Sequence, residues 1–173
     1  MAGTLEDKLI YAALAVLERD GARRLSLRGV AKAAGVSAMA PYHYFPDRTA
    51  LLAAVAARGL ERLYAAQMIA ANRAAPVDRA AAAAVALLDY AAAHPELFRL
   101  IASAELARHG VHEGLDAARA RVRGHFTQLN GGAGPLLHAL AQGLAAELIA
   151  GALPLDAARA LARQGAAALG PSA

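Results

Sequence analysis

Eight residues between Ser26 and Arg48 have types and spacing suited to gripping a nucleic-acid duplex: Ser26, Arg28, Ala38, Met39, Ala40, Tyr42, His43 and Arg48. Ser26, Tyr42 and Arg48 can bind phosphates, and Arg28 can reach a phosphate or a guanine edge. Ala38, Met39 and Ala40 are small or apolar, which suits contact with thymine methyls and groove shape. His43 can serve as a donor, or sit exposed with no task. Arg23, Arg24 and Lys32 add positive charge with few acids between. A surface helical hairpin with an ordinary scatter of charge would carry the same residues, so spacing alone leaves both readings open.

Covalent chemistry has far less support. The chain has no Cys, so thiolate nucleophiles, thiolate metal sites and disulfides are unavailable. It shows no Gly-rich phosphate loop, no nucleophile elbow and no paired carboxylates in a recognisable motif. His109, His112 and Glu113 have a loose metal-like spacing, yet no second cluster accompanies them and a solvated helix end reads the same way. No catalytic residue, metal or cofactor is expected, and the chain is not expected to be an enzyme.

The elements that must hold the eight residues are short helices. Ser26 is a good N-cap, and Leu27, Val30, Ala31 and Ala34 recur at helical spacing behind it. Gly35 can take the left-handed conformation that ends a helix. Val36 can plug the corner, Ser37 is a second N-cap, and Ala38 to Tyr44 should form the next short helix, with Phe45 turning back to the core. Pro41 removes one donor from the first turns of that helix, which is tolerable near an N-terminus. Helix, Gly-containing turn, helix is the helix-turn-helix pattern. Upstream, Leu5 to Asp20 reads as a helix with Leu9, Ile10, Ala13, Val16 and Leu17 buried, ended by Gly21.

The stretch GVSAMAPYHYFPDRTALL, Gly35 to Leu52, resembles the signature of the TetR family (tetracycline-repressor-like regulators). LIYAALAVLERDG and SLRGVAKAAG stand upstream in the order and spacing of that family's first two helices. The likeness is specific over about Leu5 to Leu52; beyond that it covers only length and helical character. Arg48 stands where the family usually has Lys, which keeps the charge. The resemblance implies a ligand-responsive transcriptional regulator, most simply a repressor. It would bind a palindromic DNA operator as a homodimer and be released by a small effector. A helical small-molecule-binding protein without a DNA role is the alternative.

The rest of the chain reads as helices. Pro46 and Asp47 separate the recognition element from a long helix, Arg48 to about Asn72, with Leu51, Leu52, Val55, Leu60, Leu63 and Met68 inward. Asp78 to Ala93 follows, nearly all alanine with Val85, Leu88 and Tyr90. PELFRLIASAELAR from Pro95 gives a sixth helix with Leu97, Phe98, Ile101 and Leu106 as its apolar face. Leu115 to Leu129, Pro135 to Ala150 and Asp156 to Leu169 complete the set. No strand signal is present. The expected fold is all-α, with a three-helix helix-turn-helix head and a C-terminal body of about six helices. Residues 1–47 would form the DNA-binding domain and 48–173 the ligand-binding and dimerisation domain.

The last two helices are apolar over so much surface that they need cover. Core packing within one chain would supply it. The resemblance implies instead a two-fold dimer through a four-helix bundle, with Leu137, Leu140, Leu144, Leu148, Leu161 and Leu169 in the interface. Two heads could then read half-sites about one helical turn apart or a multiple of it. The resemblance also implies a small, largely apolar effector in the body. Tyr64, Met68, Tyr90, Phe98, Ile101, His125 and Gln142 are the candidate lining residues, each of which could equally be a satisfied core residue; Gln128 and His138 are similar cases.

Length and charge set limits only. At 173 residues the chain can bury a real core, and a formal net charge of +4 permits nucleic acid without requiring it. Met1 to Asp7 lacks the basic-then-apolar pattern of a signal peptide. Gly124 to Ala146 has no charged residue, but its His, Gln, Asn, Gly and Pro argue against a membrane span. A cytoplasmic protein with no membrane partner is expected.

Overall fold

The computed structural model describes residues 4–107 and 112–170. Among them are eight α-helices and no strand. They are α1 (Leu5–Asp20), α2 (Leu27–Ala34), α3 (Arg48–Arg73), α4 (Arg79–Ala93), α5 (Pro95–Ile101), α6 (Glu113–Asn130), α7 (Gly134–Ile149) and α8 (Leu155–Ala168). The fold is all-α, and no described helix is long and apolar enough to cross a membrane.

The chain divides into two compact units, one of residues 1–59 with 95–117 and one of 60–94 with 118–173. The expected boundary after Asp47 falls inside the first unit.

In the first unit, α1 begins with a capping box. The Asp7 N–H donates to Thr4 Oγ1 at 3.1 Å and the Thr4 N–H to Asp7 Oδ2 at 3.2 Å, so two donors that a helix start leaves orphaned are both satisfied. Ser26 caps α2 by accepting the Gly29 N–H at 3.1 Å. Gly35 ends α2 at φ +66°, and the Val36 N–H reaches back to the Ala31 carbonyl at 3.0 Å, the bond that closes a Schellman turn. The stripes read from spacing are the buried ones: Leu9, Ile10, Ala13, Val16 and Leu17 on α1, and Leu27, Val30, Ala31 and Ala34 on α2. Phe45, Leu51, Leu52 and Val55 complete this core with Leu97, Leu100 and Leu106.

The sixth expected helix is shorter than its sequence suggested. Helix α5 stops at Ile101, and Ala104–Leu106 form a separate 3-10 turn after the extended Ser103. The break has a physical reason. Leu106 lies off the i, i+3, i+4 ladder that starts at Leu97 and could not be buried with it on one straight helix. After the break, Leu97, Leu100 and Leu106 are buried, while Phe98 and Ile101 are only half-buried.

The second unit packs α4 against α7 and α8, and α7 against α8. Its contact faces are mostly alanine: Ala80, Ala83, Ala84 and Ala91 on α4, Ala141 and Ala145 on α7, and Ala158, Ala162 and Ala166 on α8. Such small side chains let helix axes approach closely, and Leu87, Leu88, Phe126 and Leu137 fill the remaining space. Two of the leucines expected at a dimer interface are therefore spent inside the chain. Leu137 is fully buried and Leu144 nearly so, because α4 and α8 already cover that side of α7. Leu140, Leu148 and Leu169 are half-buried, and Leu161 is exposed. The large apolar side chain left most open on α7 is Leu136, at 61% exposure.

Candidate nucleic-acid interface

The second member of the helix-turn-helix is a single turn of 3-10 helix, Ala40–His43, instead of the α-helix expected over Ala38 to Tyr44. Pro41 accounts for this. In an α-helix capped at Ser37, the first intrahelical hydrogen bond would run from residue 41 back to the Ser37 carbonyl, and proline has no N–H to make it. The Ala40 N–H takes that carbonyl instead, at 3.0 Å, and the next bonds keep the tighter spacing: Tyr42 to Met39 at 3.1 Å and Tyr44 to Pro41 at 3.0 Å. The Phe45 N–H shares the Pro41 carbonyl at 2.9 Å, which draws the chain inward and buries the Phe45 ring. Ser37 thus acts through its backbone carbonyl; no side-chain cap opens this turn.

Pro41 is buried beneath the turn, and Ala38, Met39, Tyr42, His43 and Tyr44 are exposed above it, with Ala40 half-buried. Met39 is 64% exposed, which is unusual for so large an apolar side chain. Tyr44, absent from the expected set, shares the exposed surface; its spacing of two from Tyr42 gave no helical signal. Arg28 and Lys32 are exposed one turn apart on α2, and neither is held by an acid among the described residues. Ser26 accepts through Oγ, which leaves its O–H free to donate outward.

Arg48 is placed differently from the phosphate contact expected of it. Its Nε donates to the Leu25 carbonyl at 3.0 Å and Nη2 to the Ala22 carbonyl at 2.6 Å, and Nη1 pairs with Glu105. The Ala22 carbonyl also accepts the Leu25 N–H at 3.2 Å, so the guanidinium is its second donor, whereas for the Leu25 carbonyl it supplies the partner a buried acceptor needs. Arg48 therefore ties the segment before α2 to the start of α3. Asp47, beside it, accepts the Ala50 N–H at 2.7 Å and caps α3.

The expected effector residues are scattered. Tyr64 and His125 meet edge to face at 5.4 Å, with Met68 half-buried one turn along α3. Tyr90 instead contacts His94 on its own helix end at 4.5 Å. Phe98 and Ile101 belong to the first unit and the others to the second. Gln142 is exposed on α7 and hydrogen-bonds His138 at 3.0 Å, so it lines no interior space. Burial and the nearby Arg123 charge hold His138 below the ordinary histidine pKa, and burial does the same to His125, partly offset by Gln128 and the Gln67 backbone. A groove of about 630 Å³ lies elsewhere in this unit, floored by Ala81, Val85, Ala86 and Ala166 with Asp78 and Arg163 at its edges, and none of the expected residues lines it. His109 lies outside the described residues; among those described, no cluster of three or more His, Cys, Asp or Glu could hold a metal ion.

A capped helix, a glycine corner and an exposed turn carrying Met39, Tyr42 and His43 define a helix-turn-helix DNA-binding head. Residues 9–55 match the family described as bacterial regulatory proteins, tetR family. That match covers the helix-turn-helix head. A protein of unknown function from Rhodococcus sp. RHA1 is similar over 98% of this chain and 97% of its own, at 29% identity and a TM-score of 0.80. A TetR transcriptional regulator from the same organism shares the fold at 22% identity and TM-score 0.74, covering 94% and 93%. The fatty acid degradation regulator FadR of Bacillus halodurans does so at 16% identity and TM-score 0.72, covering 98% and 96%. No curated protein sequence matches the chain.

Proposed function

We propose that the chain is a ligand-responsive transcriptional repressor that binds a palindromic operator as a homodimer, acts in the cytoplasm and has no catalytic activity. The observation that carries this reading is the exposed turn Met39–His43, set against the unengaged cations Arg28 and Lys32. Ser26 and Tyr42 donate to phosphates, Arg28 reaches a phosphate or a guanine edge, and Ala38, Met39, Ala40 and His43 face the bases. Tyr44 adds a second hydroxyl at the rim. Arg48 supports these contacts from behind, through Leu25 and Ala22.

Residues 1–47 read DNA in this scheme, and 48–173 bind the effector and pair two copies. Exposed Leu136 and Leu161, with small Gly143, Ala146, Ala160 and Ala168 exposed on the same helices, support pairing through α7 and α8. The effector releases DNA only if it binds the two head arrangements with different affinity. Selection of genomic fragments by the purified protein tests the reading, with light scattering alongside. An enriched palindrome bound by a dimer is expected. No enrichment at low salt would overturn the reading in favour of a small-molecule-binding protein without a DNA role.

A further inference from the structure

The chain carries its sulfur in three methionines and no cysteine. Met1 lies outside the described residues, and Met68 is half-buried on α3. Met39 is 64% exposed and stands immediately before the turn Ala40–His43. Its neighbours Ala38 and Ala40 offer a single methyl each, so solvent reaches the Met39 side chain. The hydrogen bonds of the turn run through the backbone. The Ala40 N–H donates to the Ser37 carbonyl at 3.0 Å, and the Met39 carbonyl accepts the Tyr42 N–H at 3.1 Å. Pro41 and Phe45 anchor the turn from its buried side. None of these contacts uses the Met39 thioether, so a change confined to its sulfur leaves the head folded.

We propose that Met39 is an oxidation site that controls DNA binding: hydrogen peroxide converts its thioether to the sulfoxide, which weakens operator binding until it is reduced. The inference rests on the DNA-binding reading above. A sulfur lone pair attacks one peroxide oxygen, and an S–O bond forms as the O–O bond breaks. The departing hydroxide takes the proton left on the transferred oxygen and becomes water. Sulfur loses two electrons and the peroxide gains them. The oxidant must reach the sulfur, which favours Met39 over Met68, and the chain has no thiolate to intercept it. The product is polar where the thioether was apolar. A thymine edge offers its methyl group and, beside it, the O4 acceptor, so a sulfoxide oxygen meets no donor there. Its hydration is then lost without compensation when the complex closes. Oxidation of Met68 would act differently, by placing a polar group in a half-buried position and loosening the fold.

The test treats the full chain with hydrogen peroxide and maps all three methionines by peptide mass spectrometry. Binding is measured to the genomic fragments that the untreated protein enriches. Met39 is expected to oxidise before Met68, and saturation with those fragments should slow its oxidation. The Met39 sulfoxide should weaken binding by about tenfold or more with the melting temperature unchanged. The two methionine sulfoxide reductases, one for each epimer, should restore it. Met39→Leu has an affinity of its own, which peroxide should leave where it is. If that variant binds too weakly to measure, recovery of wild-type binding in step with loss of the Met39 sulfoxide decides the same point. Oxidation of Met68 ahead of Met39, no protection by bound DNA, or a loss of binding seen only with a fall in melting temperature would overturn the inference. So would peroxide weakening Met39→Leu. Untreated protein that binds no fragment removes the repressor reading and this inference together, whereas fragments bound equally before and after Met39 oxidation remove this inference alone.

Discussion

The Glu18 carboxylate accepts the backbone N–H of Leu97 at 3.2 Å, with the Glu96 N–H at 3.4 Å, so a side chain from α1 caps the start of α5 across 79 positions of sequence. Pro95 at the first helical position leaves those two amides as the donors most in need of a partner. The head thus includes a helix that the sequence order assigns to the body.

Loss of that cap should be visible without DNA. Glu18→Ala is expected to destabilise the protein by about 0.5–2 kcal/mol, and Glu18→Gln by less, because the amide oxygen still accepts. Chemical denaturation gives the energies. Amide exchange at Leu97 should rise in the alanine variant, and an unchanged exchange rate there would refute the capping role.

Two glycine substitutions should go opposite ways. A Cβ at Gly59 would stand 2.7 Å from Leu97 Cδ1, and Leu97 is fully buried with nowhere to turn. Gly59→Ala is expected to cost about 1–3 kcal/mol despite alanine's better helix propensity. A Cβ at Gly165 would overlap Leu140 Cδ2, but Leu140 is half-buried and can rotate away. Gly165→Ala should be neutral or slightly stabilising. Thermal melts of both variants decide it.

Arg48 and Lys32 carry the same charge and should fail differently. Arg48→Ala takes the donor from the Leu25 carbonyl and the second donor from the Ala22 carbonyl, which keeps the Leu25 N–H, and is expected to cost about 1–3 kcal/mol of stability. Lys32→Ala should leave stability within about 0.5 kcal/mol and lower the salt slope of operator binding by about 1. A full-strength salt slope in Lys32→Ala would take that residue out of the phosphate set.

Mild acid should weaken the fold through two histidines. His125 and His138 titrate below the ordinary histidine value of 6.5 when folded, so below that pH the unfolded chain binds protons that the folded chain refuses. Their contribution is complete above pH 6.5 and is lost as pH falls from there toward the folded values. The melting temperature should therefore drop between pH 7.5 and 5.5, and replacing both histidines with Gln should flatten the drop. Asp7, lowered by its bonds to Arg58 and Thr4, acts in a separate window below about pH 4.

The sequence alone determined the first two helices of the head and the glycine corner that follows them. The Leu9–Leu17 and Leu27–Ala34 stripes, the Ser26 cap and the Gly35 stop are local signals, fixed by a 3.6-residue period and by backbone donors within one turn. The short 3-10 turn was latent there too, since Pro41 removes the first α-helical bond. Only the tertiary structure decided which apolar faces are spent inside the chain. Periodicity shows that a face is apolar and says nothing of what covers it, so Leu137 and Leu144 read as interface until α4 and α8 were seen to cover them. Arg48, Glu18 and Gln67 are the same lesson in polar form. Each takes its role from a backbone carbonyl or an amide supplied by a segment that lies farther off in sequence than one helical turn, and no spacing along the chain encodes that.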